Sequence, residues 1–418
     1  RVTDATYLSD EMKNFYLGEV YGLRAFYYFD LYRIYGGVPL RLTADVVEGV
    51  IDPNKLYMAR STPKEVMTQI KSDLNKSMEY FGNMNDFDPY KRGKKVYWSK
   101  AATECLMGEV YLWISKVSTG DDAANEANLE IAKTHLQNVI NNYGLKMLDD
   151  FSSVFDAKNG KGNSEIIFAV RYMEGEAGNN NNLFTYAMAT GSTKDNYLAN
   201  GEKFLDALNI ANTGSQQLEY KHEIYNSFDV ADTRREATFI ASYSKNTETK
   251  ELTLRGTHVR KNIGYVNAQG SRIYCGDYII YRLPLVYLML AEIENMQGGD
   301  VAKYINLVRE RAYSTNWDKA IYGYTNADFT TNELAILHEK DKEFIQEGQR
   351  WWDIRRMTLT KGGKHLVFVK EGSIGTDMPT LDEATEAHKV LWPVDKDLLG
   401  NDPLIYQTPG YATYKKAE

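Results

Sequence analysis

Apolar residues recur at helical spacing through much of the first 160 residues and again after residue 280. The clearest run, residues 10–35, predicts one long helix, because apolar side chains three to four positions apart fall on one helical face. Its apolar positions are Phe15, Val20, Leu23, Phe26 and Phe29. Gly36 and Gly37 are typical helix-ending residues, so we expect the helix to stop there.

Further helices follow the same pattern. Thr62 and Glu65 around Pro63 predict a capping box at the start of a second helix. Residues 99–117 and 125–142 predict a helical hairpin, and residues 284–296 and 300–313 predict another. The tetrapeptide Gly-Glu-Val-Tyr at residues 18–21 recurs at residues 108–111, each time in mid-helix. Paired helices with a small residue at their contact are typical of tetratricopeptide repeats.

The middle of the chain is less regular. Residues 164–170 predict a strand, residues 172–198 a long Asn- and Gly-rich loop, and residues 237–280 short strands and turns. The predicted fold is therefore mainly α, with stacked tetratricopeptide-like helix pairs and an inserted subdomain rich in loops and short strands. We predict a single domain over residues 1–418: a helical scaffold (1–160 and 281–358), the irregular subdomain (161–280) and a loop-rich C-terminal segment (359–418).

Charge and composition exclude several classes of function. The net charge is −8, and no Lys/Arg cluster follows a helical face, so we predict no nucleic-acid binding. The longest basic run, Lys91 to Lys95, is interrupted by Gly93 and is interpreted as a solvated loop. Cys105 and Cys275 lack metal-ligand spacing, and whether they pair stays open. Motifs for zinc, a phosphate or a serine nucleophile are missing, so we predict no metal, no cofactor and no catalytic residue.

One charged motif needs a separate decision. Glu343, Glu347, Arg350, Asp353 and Arg356 are spaced by three and four, which predicts that they share one helical face. Alternating carboxylates and guanidinium groups hold each other ionised. We therefore interpret them as structural ion pairs rather than as acid and base catalysts.

Candidate ligand contacts come from loops, because the 31 tyrosines exceed what a core needs. Rings in surface loops cannot all be buried, and asparagine both donates and accepts hydrogen bonds, which suits sugar hydroxyls or a peptide backbone. The alternative is that these rings only hold loops against the scaffold. The candidates are Tyr172, Asn180, Phe184, Tyr186, Tyr197, Trp317, Tyr322 and Tyr324.

An ordered series of segments resembles one family along most of the chain. The segments are residues 22–28, 35–40, 59–66, 163–168, 229–234, 282–292, 305–312, 339–356 and 407–411. The most specific is Glu-Gly-Gln-Arg-Trp-Trp-Asp-Ile-Arg-Arg at residues 347–356. Together they resemble the SusD-like (RagB) outer-membrane nutrient-binding lipoproteins of Bacteroidetes. Lys340, Pro284 and Asp395 depart from the family pattern, but none touches a ligand-specific signature.

The resemblance implies a surface-exposed lipoprotein of the outer membrane that performs no chemistry. Such a protein captures an oligosaccharide, or less often a peptide, and delivers it to a SusC-like TonB-dependent transporter. The lipid-bearing N-terminal segment of the family is expected to lie outside this sequence, and the outer-membrane lipid anchor is inferred from the resemblance. The alternatives are a peptide-binding RagB-type protein, an all-helical glycoside hydrolase and a repeat scaffold that binds only proteins.

Overall fold

The computed structural model describes residues 2–44, 52–179, 194–210 and 220–413. Helices predominate, as predicted. Their bounds are α1 (Asp10–Tyr35), α2 (Pro63–Phe81), α3 (Lys100–Lys116), α4 (Asn128–Asn142), α5 (Phe204–Ala207), α6 (His222–Asn226), α7 (Arg234–Thr238), α8 (Leu283–Gln297), α9 (Val301–Tyr313), α10 (Lys319–Tyr322), α11 (Phe329–Glu343), α12 (Arg350–Arg356), α13 (Glu383–Glu386) and α14 (Lys396–Asn401). The predicted capping box of Thr62 and Glu65 is present at the start of α2.

The long helices pack in pairs, α1 with α2, α3 with α4 and α8 with α9. The repeated glycine lies at two of these contacts. A Cβ atom at Gly18 would lie 2.9 Å from the Phe81 ring of α2, and one at Gly108 would lie 2.3 Å from Leu136 of α4. Since real Cβ atoms do not approach so closely, both pairs depend on glycine. The prediction of stacked helix pairs with a small residue at the contact is confirmed.

In its described residues, the irregular subdomain contains three short antiparallel pairs of strands. The strands are β1 (Ile166–Val170), β2 (Phe239–Lys245), β3 (Leu252–Val259), β4 (Tyr265–Val266), β5 (Arg272–Ile273) and β6 (Tyr278–Arg282). β1 pairs with β6, β2 with β3, and β4 with β5. The β1–β6 pair leads directly into α8, so this ladder joins the subdomain to the helical scaffold.

One large apolar core unites the two predicted scaffold segments. Phe29 and Trp113 from the first segment share it with Leu288 and Ile336 from the second. Cys105 belongs to the same core, and both Cys105 and Cys275 are buried free thiols, so they form no disulfide with each other. In the described ranges, no helix combines the length and apolar character that a membrane crossing requires.

The expectation that the charged motif shares one helical face is wrong. α11 ends at Glu343 and α12 begins only at Arg350. Between them, Gln346 has a φ of 63° and Gly348 a φ of 74°, both in the left-handed region that a continuous helix cannot contain. The five charged residues therefore fall on three different structural pieces and enter separate clusters.

The ion-pair interpretation of the motif is nevertheless confirmed. Glu343 accepts hydrogen bonds from Arg282 and Arg311, and Glu347 accepts from Arg282 and Lys261. In a second buried cluster, Asp353 accepts from Lys340 and Arg356, and Arg356 also donates to Glu292. Arg350 pairs with Asp341, and their side chains are 33% and 12% exposed, so this pair is partly buried.

Candidate functional site

Two loops that are far apart in sequence meet beside the first half of α1. The first loop, residues 88–97, is shaped by Asp88, whose carboxylate accepts from the backbone N–H of Arg92 at 2.7 Å and of Gly93 at 2.9 Å. Lys91, Gly93 and Lys95 all have positive φ values in this turn. The Lys91 to Lys95 run is therefore a tightly folded loop, with Lys95 buried rather than solvated.

Arg92 is the centre of this loop. Its guanidinium lies 4.1 Å from the ring centroid of Tyr97, 5.3 Å from that of Tyr16 and 5.0 Å from that of Phe15. It also donates to both carboxylate oxygens of Glu19, at 3.1 and 2.5 Å. Burial raises the pKa of Glu19, although Arg92 acts in the opposite direction. The guanidinium therefore lies among these rings, with Nη1 and Nη2 both bound to Glu19.

One further tyrosine, Tyr90, completes the aromatic part of the surface. Tyr16 and Tyr90 stack with ring centroids 6.5 Å apart and an interplanar angle of 26°. Tyr97 is 39% exposed, and its ring also contacts the Arg92 guanidinium. Such a ring can stack on a sugar or on a peptide side chain.

The second loop, which follows β1, brings Arg171 next to Gly93 of the first loop and holds Tyr172 beside Arg171. Arg171 donates through Nε to Asp277 at 3.4 Å, and the Tyr172 backbone N–H donates to Asp277 at 3.2 Å. Lys161 also binds Asp277, at 2.7 Å, and donates to the Tyr172 carbonyl at 2.6 Å. Asp277 thus holds both residues in position. We define the arginine–tyrosine face as Tyr16, Tyr90, Arg92, Tyr97, Arg171 and Tyr172.

The candidates predicted from sequence are distributed over several places. Tyr172 lies half-buried on the arginine–tyrosine face. Tyr197 pairs through its backbone with Tyr243 of β2, and Lys245 lies 5.2 Å from its ring centroid. Asn180, Phe184 and Tyr186 lie outside the described residues. For the described candidates, no hydrogen bond or ring contact joins Tyr172 to Tyr197 or to residues 314–324.

The three candidates after α9 pack against the scaffold. Tyr322 stacks on Tyr313 with ring centroids 4.0 Å apart, and Trp317 lies 6.3 Å from the same ring. The Tyr324 hydroxyl donates to Asn332 at 2.7 Å. These contacts give each ring a role in holding its loop, and whether any of them also touches a ligand stays a prediction.

Sequence reasoning missed Tyr16, Tyr90, Arg92, Tyr97 and Arg171 as members of a site. A signal was present, since Tyr90 and Tyr97 flank the basic run of residues 91–95. That run was interpreted as solvated because nothing in the sequence shows that residues 158–172 fold against it. Rings next to cations at one loop are a pattern that indicates a binding surface.

A separate recess of about 580 Å³ lies where α11 and α12 are broken apart. Its lining includes Tyr220, Tyr278, Arg350 and Trp351. The cations there already have partners, because Arg350 binds Asp341 and the carbonyl of Gly372, while Lys340 binds Asp353. The recess therefore offers a ligand fewer open charged donors than the arginine–tyrosine face does.

The described residues contain no group of three or more histidine, cysteine or carboxylate side chains that could hold a metal ion. The most buried carboxylates are paired with cations. Burial alone would raise the pKa of Glu343, but Arg311, Arg282 and Arg234 together hold it below its usual range. A carboxylate held ionised in this way is a poor proton donor at neutral pH.

Comparison with known proteins gives matches along most of the chain. The profile described as the SusD family matches residues 164–411, and one described as starch-binding associating with outer membrane matches residues 2–112. SusD-like protein P2 of Formosa agariphila is 26% identical over 426 residues, covering 96% of this chain and 75% of its own length.

Solved structures extend the similarity to three dimensions. A SusD superfamily protein from Bacteroides fragilis is 73% identical with a TM-score of 0.92, covering 99% of this chain and 83% of that one. Surface glycan-binding protein A from Bacteroides thetaiotaomicron, solved in complex with laminarihexaose, is 18% identical with a TM-score of 0.63, covering 98% and 81%. At that identity the second likeness concerns the fold alone.

Proposed function

The chain belongs to the SusD family, and we propose that it captures an oligosaccharide at the surface of the outer membrane and carries out no chemistry on it. Two findings support this proposal. The profile that matches residues 2–112 is described as starch-binding associating with outer membrane. A protein of the same fold binds laminarihexaose.

The arginine–tyrosine face is the proposed capture site. The single observation that carries this proposal is the exposed ring of Tyr97, which contacts the Arg92 guanidinium. A ring that is held in place before binding loses little conformational freedom when a sugar stacks on it. The neighbouring Arg171 and Tyr172 add polar groups that fix the orientation of the sugar.

The proposed partner is a SusC-like TonB-dependent transporter, with the protein held at the outer membrane by a lipid anchor. Both follow from family membership, in which binding and import are divided between two proteins. The test is purification of the tagged full-length protein from native outer membranes. A TonB-dependent transporter should co-purify in comparable amount, and its absence would contradict the delivery step.

Capture itself is tested on glycan and peptide arrays, followed by calorimetric titration of the best ligand. Alanine at Tyr97 should weaken binding. The matched control is Tyr406, an exposed tyrosine whose ring also has an arginine, Arg60, 5.0 Å from its centroid. Arg60 contacts the C-terminal end of α1, roughly 24 Å from Glu19 at 1.5 Å per residue.

The outcomes of these binding experiments distinguish glycan capture from the three alternative functions. Binding to peptides alone would favour the RagB-type alternative, and binding to no array member would favour a scaffold that contacts only proteins. Release of product from a bound glycan, lost on changing one carboxylate, would favour a glycoside hydrolase.

A further inference from the structure

We infer that the captured glycan carries a carboxylate, which is bound by Arg171 together with Lys94. This inference rests on the proposed function and specifies the chemical class of its ligand. It starts from the basic run of residues 91–95, which glycan capture by aromatic stacking leaves unexplained.

The cations around this loop fall into two groups. Arg92, Lys95 and Lys161 are engaged: Arg92 binds Glu19, Lys95 donates to the carbonyl of Asn163 at 2.6 Å, and Lys161 binds Asp277. Lys94 is exposed, and within the described ranges its ammonium group has neither a carboxylate nor a carbonyl partner. Within the described ranges, the loop therefore contains a positive charge, that of Lys94, which no carboxylate or carbonyl group of the protein binds.

Arg171 is engaged through only one edge of its guanidinium. Nε contacts Asp277 at 3.4 Å, whereas Nη1 and Nη2 have no acceptor among the residues that the structure describes. The side chain is 25% exposed, so these two nitrogen atoms are open to a ligand. A guanidinium fork with its donors free has the planar geometry that binds a carboxylate through two parallel hydrogen bonds.

Two glycines lie next to the Nη1 and Nη2 atoms of Arg171. A Cβ atom at Gly93 would lie 3.9 Å from Nη1 of Arg171, and one at Gly162 would lie 3.9 Å from Nη2. Both glycines have positive φ values, 131° and 63°, so other residues are disfavoured there. At these distances a Cβ atom would only touch the guanidinium, and each glycine leaves that contact position unfilled.

The same glycines show what surrounds the fork. The Cβ position of Gly162 is 3.5 Å from Cβ of Lys94, and that of Gly93 is 3.8 Å from Cε2 of Tyr97. The base of the Lys94 side chain and the ring of Tyr97 therefore neighbour the same two glycines that lie next to the Arg171 guanidinium. The sugar ring can stack on Tyr97 while its carboxylate meets Arg171 and Lys94.

A neutral sugar would use this arrangement less well. Hydrogen bonds from a guanidinium to a carboxylate are roughly twice as strong as those between neutral groups. The chain as a whole has a net charge of −8. That overall charge repels an anionic ligand, whereas the open cations Arg171 and Lys94 attract it to this loop.

The experiment compares acidic with neutral monosaccharides by saturation-transfer NMR and calorimetry. The acidic probes are glucuronic, galacturonic and N-acetylneuraminic acids, and the neutral probes are glucose, galactose and N-acetylglucosamine. At least one acidic probe should bind at least tenfold more tightly than every neutral probe. Its affinity should fall as ionic strength rises, because salt screens exposed charges.

Variants then assign the carboxylate contact. Arg171→Gln should reduce the affinity for the acidic probe at least tenfold, and Lys94→Gln several-fold. Asp277 keeps Lys161 as a partner at 2.7 Å, so Arg171→Gln should fold normally, which circular dichroism and thermal melting will check. Lys389→Gln is the control, since Lys389 is exposed near the far end of α1.

The outcomes are distinguishable. Neutral probes that bind as tightly as acidic ones, or acidic binding that survives Arg171→Gln, would overturn the inference and leave glycan capture standing. If none of the monosaccharides and none of the array glycans binds, the proposed function itself fails.

Discussion

The guanidinium of Arg282 lies between two carboxylates of the broken helix, donating to Glu343 through Nη1 at 2.5 Å and to Glu347 through Nε at 2.6 Å. All three side chains are buried. Arg282 closes β6 immediately before α8, while Glu343 is the last residue of α11. One side chain therefore fastens the strand-rich subdomain to the helical scaffold.

Removing this arginine should be costly. Arg282→Met leaves Glu343 and Glu347 buried with fewer partners, and breaking a buried pair costs about 3–5 kcal/mol. Arg350→Met should cost less, about 1–3 kcal/mol for the single carboxylate that it leaves without a partner. Arg350 is 33% exposed and binds one carboxylate, Asp341, whereas Arg282 is 1% exposed and binds three. Urea denaturation of both variants measures the difference in the free energy of unfolding. Equal losses would contradict the division of the charged motif into separate clusters.

The close glycine contacts between paired helices predict that a larger residue at these positions destabilises the fold. Gly108→Ala should destabilise the fold by about 1–3 kcal/mol, because the new methyl group would overlap the Leu136 side chain. Adding Leu136→Ala opens space for that methyl group. The double variant should therefore be more stable than the sum of the two single changes predicts, and thermal melting of the four proteins gives the coupling energy. Strict additivity would rule out the contact.

The buried histidine of β3 predicts sensitivity to acid. Burial lowers the pKa of His258 from 6.5 to about 4. The unfolded chain takes up this proton near pH 6.5 and the folded chain only near pH 4, so protons favour unfolding across that window. Stability should fall by about 3 kcal/mol as the pH drops from 6.5 to 4. His258→Gln should lose less stability over the same window, as followed by denaturation at each pH.

Alanine substitutions can decide whether the ligand binds to the arginine–tyrosine face or to the loop predicted after α9. Tyr97→Ala should weaken binding of the best glycan about tenfold, since stacking adds about 0.5–1.5 kcal/mol beyond the buried area. The melting temperature should change little, because the ring is partly exposed. Trp317→Ala serves as the comparison in the same titration. If Trp317→Ala abolishes binding and Tyr97→Ala does not, the loop predicted from sequence is the ligand site.

The sequence was sufficient to predict features that depend on interactions between neighbouring residues, such as helix caps. The capping box at Thr62 and the glycine stop at Gly36 follow from residues close in sequence. The repeated Gly-Glu-Val-Tyr indicated the helix contact at Gly108. The break between α11 and α12 was missed because Gln346 is not a residue that usually adopts positive φ. The carboxylates on either side of the break bind cations from distant elements, which the periodicity of the motif cannot reveal.

The arginine–tyrosine face was also missed because its residues come from distant parts of the sequence. The Arg171 guanidinium lies next to Gly93, which precedes it by about eighty residues, and Tyr97 neighbours the same glycine. Only the folded loops bring these residues together. Tyr172 was predicted from its loop position, and its backbone N–H binds the same Asp277 as Arg171 does. Whether its side chain touches a ligand stays a prediction. Aromatic content thus indicated that a binding surface exists, while its location depends on tertiary contacts.

The buried Glu165 has a consequence for how the chain acquires its structure. Its carboxylate is bound by Arg282 and Arg311, which follow it by 117 and 146 residues. During synthesis, the β1 segment therefore waits for most of the C-terminal half before its negative charge can be neutralised inside the protein. Contacts between such distant residues slow folding, because a long loop must close before they form. Fragments that end before α8 should remain only partly folded, and maturation of the subdomain should coincide with completion of the scaffold.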